Sequence, residues 1–556
     1  MPQDAFTIKY VANELNELLC GGKISKITQP DKETLTFIIY TRNGSVKLEI
    51  CLSAKGCRIN IADDELAAPK VAPNFCMLLR KHLQNAEITA VKQIEYERLV
   101  YLDLDCTSEF ERTEMRLYVE LMGKYSNAVL TKDGIILGAL KTTAIGESTR
   151  RVLFSGVKYV LPEPQDKILP DDLKALERAF ENAAGDRAKF IADKVKGIAY
   201  STALEIVETY GEKLSAKAVN SYICGGQIAP CVTFTDGEPS DFKVRSTAAK
   251  QRGYGSVLAA QTAYYKYVSA KKRFDEKKRR LQGALSAAVK KLEKRLAEQN
   301  RRLLDCADAD LIKLKGELIT ANVYAVQRGA DKFEAVNYYD ENGGKIEIAL
   351  DRTLSPAENA QRYYKRYAKM RRTVQSVSGQ KRETEERLDY LNSISAHVCA
   401  AENLSDFDET EEELKILGLL KDDGKDRKKA VKTPPFREFV IGGFKVLAGR
   451  NNIQNDRLLK SVSPNDLWLH TQGYHSSHLV IIRDGKEIPD EVIKIAAEIC
   501  AYYSDGRAGS KIPVDYTLRK FVKKPPKANA GFVVYTDYKT ALAEPNGHAE
   551  LLTEKL

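Results

Sequence analysis

Apolar positions recur every three to four residues in VANELNELL (11–19), and the spacing predicts an amphipathic helix there. Strand-like runs follow: TLTFIIYT (34–41), VKLEICL (46–52) and LVYLDLDC (99–106). AVLTKDGIILGAL (128–140) reads as a hairpin turning at Lys132-Asp133-Gly134, and PNFCMLLRKHL (73–83) as a short helix. Prolines 162, 164 and 170 close this first α+β region. Residues 171–235 read as helical throughout. Within them FIADKVKGIAYSTALEIV (190–207) fits two helices about a Lys196-Gly197-Ile198 turn, with Ala203 on the second. Such a glycine turn can aim backbone N–H groups at a phosphate, although a hairpin used only for packing has the same pattern.

The most periodic stretch is 263–304, where Leu281, Leu285, Ala288, Leu292 and Leu296 form a coiled-coil stripe. A second long helix opens on Ser355-Pro356-Ala357-Glu358, a capping box with proline in the first turn. It runs through Tyr363, Tyr367, Met370, Val374 and Val377 to Leu388 and Leu391. Forty helical residues span ~60 Å, so the pair is expected to form an antiparallel arm with a small knob between its helices. KDDGKDRKKAVKTPPFREF (421–439) reads as a linker, and a second α+β domain follows. The expected division is 1–170, 171–245, 246–433 with a middle domain at about 305–354, and 434–556.

Composition sharpens this picture. A chain of 556 residues exceeds one core, and its 43% hydrophobic content supports several. The net charge of +10 matters less than its location. Between Lys266 and Arg302 there are fourteen Lys or Arg and four Asp or Glu, a local surplus equal to that of the whole chain. The ten cysteines are scattered without C-x-x-C, which suits reduced thiols in a cytoplasm. The N-terminus shows no signal-peptide pattern, and no run approaches the ~20 apolar residues of a membrane span.

Three stretches could carry chemistry. DLWLHTQGYHSSHLVI (466–481) holds the single tryptophan and three of six histidines. It reads as two strands flanking a turn, with Trp468 and His470 on one face and Leu467 and Leu469 on the other. His470, His475 and His478 lack the shared apex and fourth ligand of a zinc site, so no metal is expected. A buried, hydrogen-bonded His470 or His478 bracing the turn is the plainer structural role. From Asp505 to Lys527 the chain carries seven basic and two acidic residues with Tyr516 and Phe521 interleaved, a phosphate-plus-stacking composition or a solvated charged face. Glu97-Arg98 and Glu120-Leu121-Met122-Gly123-Lys124 place acid, base and glycine at strand edges. They could meet bases and phosphates, or form an internal salt bridge with a turn glycine.

Taken together the chain resembles the NFACT family over nearly its whole length. The carriers are APNFCMLLRKHL (72–83), Glu97-Arg98, ELMGKYSN (120–127), KGELITANVY (315–324), NYYDENG (337–343) and LSPAENAQRYYKRYAKMRR (354–372). In the last domain they are GRNNIQNDRLL (449–459), DLWLH, SHLVI (477–481) and PVDYTLRKFVKKPPKANAGFVVY (513–535) with the following TDYKT. The resemblance implies a multidomain α+β protein: a glycosylase-like N-terminal domain, a helix-hairpin-helix, a coiled-coil arm with a middle domain, and a C-terminal NFACT-R RNA-binding domain.

For function it implies a ribosome-associated quality-control factor of the cytoplasm. Such a factor binds obstructed large ribosomal subunits carrying peptidyl-tRNA and recruits alanyl-tRNA, so that the stalled chain gains an alanine tail. Peptidyl transfer belongs to the ribosome, so the chain is expected to be no enzyme and to need no cofactor. Implied partners are 23S rRNA near the stalk base, tRNA-Ala and a small RNA-binding companion protein, but no membrane. Implied tRNA contacts fall on Glu97, Arg98, Glu120, Met122, Gly123 and Lys124. Trp468, His470, Ser477, His478, Arg519, Lys520, Lys523 and Lys524 are expected to form or brace an RNA-facing wall. Lys271, Lys272, Arg273, Lys277, Lys278, Arg279 and Arg280 are expected to meet rRNA along the arm.

The chain departs from the family pattern at two places. Glu97 stands where the family usually has aspartate, and His475-Ser476 where it commonly has Pro-Gly. Two other functions compete. A DNA glycosylase would use Pro2 as an amine nucleophile, but QDAFT departs from that family's acidic stretch and no four-cysteine finger is present. A fibronectin-binding surface adhesin, the older label for bacterial members, lacks an export signal here.

Overall fold

The computed structural model describes residues 3–63, 69, 71–107, 112–143, 151–181, 185–225, 227–340, 343–421 and 434–553. Pro2 and residues 422–433 of the expected linker lie outside the described residues. The chain is a mixed α+β protein with antiparallel sheets and long helices, and it divides into two compact units, Met1–Lys271 and Lys272–Leu556.

The first unit is built on a nine-stranded sheet in which all neighbours run antiparallel. In spatial order its strands are Arg58–Ile61, Gly44–Cys51, Thr34–Thr41, Lys23–Thr28, Glu87–Gln93, Leu99–Thr107, Arg112–Glu120, Asn127–Lys132 and Ile135–Ala139. Helices Ala5–Leu19 and Asn74–Leu83 bury their apolar stripes in the same core, through Val11, Leu15 and Leu19 and through Leu79 and Leu83. The 132–135 hairpin turns as its sequence predicts. Asp133 and Gly134 both adopt positive φ, 52° and 76°, the geometry a two-residue hairpin favours.

The paired helices Arg187–Lys194 and Tyr200–Tyr210 are present about Gly197. Their turn is used for packing. The Ala199 N–H donates to Asp4 Oδ2 at 3.2 Å, and the Gly197 carbonyl accepts from the Phe6 N–H at 3.1 Å. A side chain at Gly197 would begin 2.9 Å from the Tyr96 carbonyl oxygen, so only glycine lets the turn seat this closely. The all-helical reading of 171–235 needs correction. Cys231–Thr235 begins a three-stranded sheet with Glu238–Lys243 and Gln251–Gly253. The β-rich CVTFT segment and the positive-φ Asp236-Gly237 turn outweigh the helical trend before them.

In the second unit, the helix Val257–Leu304, which begins in the first unit, packs against the helix Pro356–Ala400. The capping box is present: Ser355 Oγ accepts from the Glu358 N–H at 3.3 Å, and Glu358 Oε2 accepts from the Ser355 N–H at 2.7 Å. The two helices run antiparallel. Lys278 Nζ donates to the Cys399 carbonyl at 2.9 Å, whereas Arg302 shares a groove with Lys369 and Arg372. Leu281 and Leu285 cluster with Leu391, Ile394 and Val398. Between the helices in sequence lie the helix Ala309–Ala321 and a hairpin of Lys332–Val336 with Lys345–Ala349.

The second helix runs nine residues beyond Leu391, to Ala400; the helix Asp408–Ile416 follows, and residues from 437 onward build a six-stranded antiparallel sheet. Its spatial order is Arg437–Ile441, Phe444–Ala448, Leu479–Ile481, Leu467–Thr471, Ile512–Leu518 and Lys539–Ala543. Period-two alternation sorts its faces. Leu467, Leu469, Leu479 and Ile481 pack with the helix Asp490–Tyr502, while Trp468 and Val480 pack with Leu458 and Leu459 of the helix Asn452–Ser461.

Candidate nucleic-acid interface

The sheet register of the first unit brings its two candidate stretches together. Leu99 pairs with Glu120, and the Leu121 N–H donates to the Arg98 carbonyl at 2.8 Å. Their side chains divide into two groups. Glu120 is 2% exposed; it grips Arg151 through both oxygens, at 2.6 and 3.0 Å, and accepts from the Tyr159 hydroxyl at 2.8 Å. A carboxylate so committed is a structural anchor rather than an open acceptor for a base. Glu97 Oε1 lies 3.0 Å from Nζ of buried Lys196, which ties it to the helical hairpin. Arg98 and Met122 remain half-buried, Gly123 turns the chain at φ +60°, and Lys124 is exposed. Lys124 Nζ sits 4.8 Å from the ring centre of Tyr125, which is 70% exposed. Tyr125 is the residue the sequence pattern passes over: an accessible aromatic face beside a cation, suited to stacking on an unpaired base.

The cationic run of the first long helix is more neutralised than its composition suggests. Lys277 bridges Asp408 at 2.8 Å and Glu411 at 3.0 Å, and Arg280 also pairs with Glu411. These acids belong to the helix Asp408–Ile416, whose DETEEELKI sequence brings negative charge to that face. Lys271 pairs with Glu238, Lys272 lies 3.9 Å from Glu276, and Lys278 is held by the Cys399 carbonyl. Arg273 is engaged within the protein, and Arg279 is exposed. A different cluster is open. Arg302, Lys365, Lys369 and Arg372 line a groove of about 420 Å³ with Thr373, Ser376 and Gln380, and among the described residues no acid shares that lining.

In the last domain, Trp468 is fully enclosed and cannot face RNA; it braces the residues around it. Its indole stacks on His470 at 5.7 Å with an interplanar angle of 5°, meets His478 edge-on at 5.4 Å and leans on Tyr535 at 4.8 Å. Ser477 and His478 are buried as well, because Asn455 Oδ1 pulls the His478 N–H inward at 3.0 Å. His470 is half-buried and donates from Nδ1 to the Thr471 carbonyl at 2.8 Å. Around these rings opens a cavity of about 200 Å³. Asp389, Tyr390 and Ser393 of the second long helix help to line it. A fourth histidine, His397, approaches from the same helix: its Nε2 donates to Asn452 Oδ1 at 3.1 Å. Burial pushes the imidazolium forms down, to about 3 for His397, to about 4 for His470, and well below the ordinary value for His478. These rings are therefore neutral at pH 7.

The basic residues of this domain are only partly free. Lys524 pairs with Asp456, and Arg519 Nε donates to the Leu459 carbonyl at 2.8 Å. Lys520 lies 5.0 Å from the Phe521 ring centre, and Lys523 is exposed.

GRNNIQNDRLL supplies the joint of this unit. Arg450 reaches Asp406, Asn451 Nδ2 donates to Glu409 Oε2 at 2.9 Å, and Asn452 Nδ2 donates to Ser393 Oγ at 2.8 Å. Asp456 accepts the Gly531 N–H at 3.0 Å, which draws the 523–531 loop over the cavity.

This polar joint ties an antiparallel helix pair to the six-stranded antiparallel sheet in a multidomain α+β protein. Residues 4–433 match the family model for "NFACT N-terminal and middle domains", and residues 436–535 match the "NFACT protein RNA binding domain". The chain belongs to the NFACT family. It is 30% identical to "Rqc2 homolog RqcH" of Bacillus subtilis, over 98% of each chain, and 28% identical to the protein of that name in Streptococcus suis, again over 98% of each. Among solved structures it is similar to the N-terminal part of the fibronectin/fibrinogen-binding protein from Streptococcus suis. That match has a TM-score of 0.42 at 24% identity, and covers 47% of this chain and 98% of the other. Among the described residues no helix is long and apolar enough to cross a membrane.

Proposed function

We propose that this chain is a ribosome-associated quality-control factor: it binds obstructed large ribosomal subunits that carry peptidyl-tRNA and recruits alanyl-tRNA for C-terminal alanine tailing. The observation that carries this reading is the match to Rqc2 homologues along the whole chain, with an RNA-binding domain at its end. The protein supplies binding energy and orientation; the ribosome performs peptidyl transfer. Arg98, Met122, Gly123, Lys124 and Tyr125 form the tRNA-contacting end of the first unit, with Glu97 and Glu120 holding it in shape. The Arg302, Lys365, Lys369 and Arg372 groove takes rRNA phosphates, supplemented by Arg279 lower on the arm. The implied surroundings are 23S rRNA near the stalk base, with room for a small RNA-binding companion. The test is to purify the tagged protein from cells and sequence the RNA that accompanies it. Enrichment of 23S and 5S rRNA without 16S rRNA, together with tRNA-Ala, is expected. Recovery without rRNA refutes the ribosomal reading, and a different tRNA refutes alanine.

A further inference from the structure

The cavity beside Trp468 combines two properties that a phosphate-binding surface does not need with a third that it does. The first is a neutral hydrogen-bond acceptor beside a second neutral imidazole. His470 commits Nδ1–H to the Thr471 carbonyl, which leaves the lone pair on Nε2. His478 Nδ1 is buried with no hydrogen-bond partner among the described residues. The two rings meet edge to face at 5.3 Å, and both border the cavity. The His470 lone pair would be costly to leave empty once a ligand fills the cavity, so the site favours an N–H donor. The second is an aromatic wall. Tyr535 and Phe532 line the opening, and Phe532 is 49% exposed. The third is positive charge on a chain segment that supplies part of the lining. The loop that supplies Asn529, Ala530, Gly531 and Phe532 also carries exposed Lys523 and Lys527.

At about 200 Å³ the cavity is smaller than the ~300–1,000 Å³ that hold whole cofactors, so it suits one flat ring system. An ammonium group would seek an acid. The one carboxylate in the lining among the described residues, Asp389, is exposed and lies 3.5 Å from His475, and the segment that supplies residues 529–532 carries exposed lysines. We infer that the cavity receives a single unstacked nucleobase bearing an exocyclic amino group, whose N–H donates to His470 Nε2 while Phe532 and Tyr535 flank its ring and Lys523 and Lys527 hold the adjoining phosphates. Adenine and cytosine carry such a donor; uracil does not. This deepens the RNA-binding reading and rests on it.

The chain's only tryptophan reports on the site, since it stacks on His470. The full chain is titrated with unlabelled five-residue oligomers of adenylate, cytidylate and uridylate while Trp468 emission is followed. Affinity is read by competition against a labelled mixed-sequence oligomer. Adenylate and cytidylate are expected to bind roughly tenfold more tightly than uridylate and to change Trp468 emission. Phe532→Ala is expected to remove most of that preference, in keeping with the worth of one base–aromatic stack. Equal affinities with unchanged emission overturn the base pocket but leave RNA binding intact. Failure of every oligomer to bind at low salt overturns both. Displacement by a short peptide with a free amino terminus, but not by oligoadenylate, also overturns the inference.

Discussion

Asp406 Oδ1 lies 2.6 Å from Arg450 Nη1, and its other oxygen lies 3.0 Å from Arg437 Nη2. All three side chains are enclosed, and the Glu402 and Asn403 N–H groups also donate to Asp406 Oδ2. This cluster joins the segment after the second long helix to the first two strands of the RNA-binding domain. Burial by itself would raise the Asp406 carboxyl, but the two guanidinium groups hold it below its ordinary value. Asp406→Asn strands two buried cations and is expected to cost about 3–5 kcal/mol. Urea unfolding followed by Trp468 fluorescence measures it. Because the folded carboxyl is depressed, its contribution is present above the unfolded value near ~3.9 and is lost as pH falls below about 4.

Glu120 makes the same argument in the first unit. Glu120→Gln weakens a bidentate bond to Arg151 and is expected to destabilise that unit by about 3–5 kcal/mol. Lys124→Ala and Tyr125→Ala alter accessible side chains, and surface changes of that kind typically stay within about 0.5 kcal/mol. Thermal unfolding and tRNA binding should therefore separate them: Glu120→Gln lowers stability first, whereas the other two weaken tRNA binding at unchanged stability. Wild-type stability in Glu120→Gln, with weakened tRNA binding, would instead make Glu120 a residue that touches tRNA directly.

On the arm, charge and accessibility point to different residues. Replacing Arg302, Lys365, Lys369 and Arg372 by Gln is expected to weaken binding to large subunits. It should also flatten the plot of log affinity against log salt by roughly three, at about 0.7–0.9 for each phosphate no longer neutralised. The double change Lys277→Gln, Arg280→Gln is expected to leave that slope nearly unchanged and to loosen the packing of the helix Asp408–Ile416 instead. Filter binding from 50 to 300 mM salt, ~50 mM steps sufficing for the slope, distinguishes the two sets.

These contrasts show which parts of the molecule sequence patterning can reach. The Asp133-Gly134 turn, the Ser355–Glu358 cap and the two-faced DLWLH strand are local: each is decided by residues within a few positions of one another. The neutralised and buried charges are not local. Lys277 meets Asp408 across 131 residues, Arg450 meets Asp406 across 44, and Glu120 meets Arg151 across 31. Composition counts such charges as free, and only tertiary placement reveals that they are spent internally. Trp468 illustrates the same limit. Its face is legible from alternation, but its enclosure depends on Tyr535, which arrives from a distant segment, and on how the preceding helix seats Leu458.

The histidine cluster gives a pH signature distinct from that of Asp406. His397, His470 and His478 are neutral in the fold because burial lowers them, whereas the unfolded chain protonates them near ~6.5. Their surroundings reinforce this: Arg437, His475 and His470 near His397; His475 near His470; and His470, His397 and Lys524 near His478. Asp515 acts in the opposite sense on His470, and the Asn452 and backbone hydrogen bonds only partly offset burial. The unfolded state therefore binds more protons than the folded state from about pH 6.5 downward. Stability is full above that pH and falls as pH drops toward the folded values, by up to about 1.4 kcal/mol per unit for each histidine. The urea midpoint read by Trp468 should decline between pH 7 and 5, a range in which Asp406 does not titrate. His397→Gln keeps a donor for Asn452 Oδ1 and removes one titrating ring, so its midpoint should fall less steeply with pH than that of the parent. Parallel pH profiles for the two proteins would show that His397 is not held neutral by the fold.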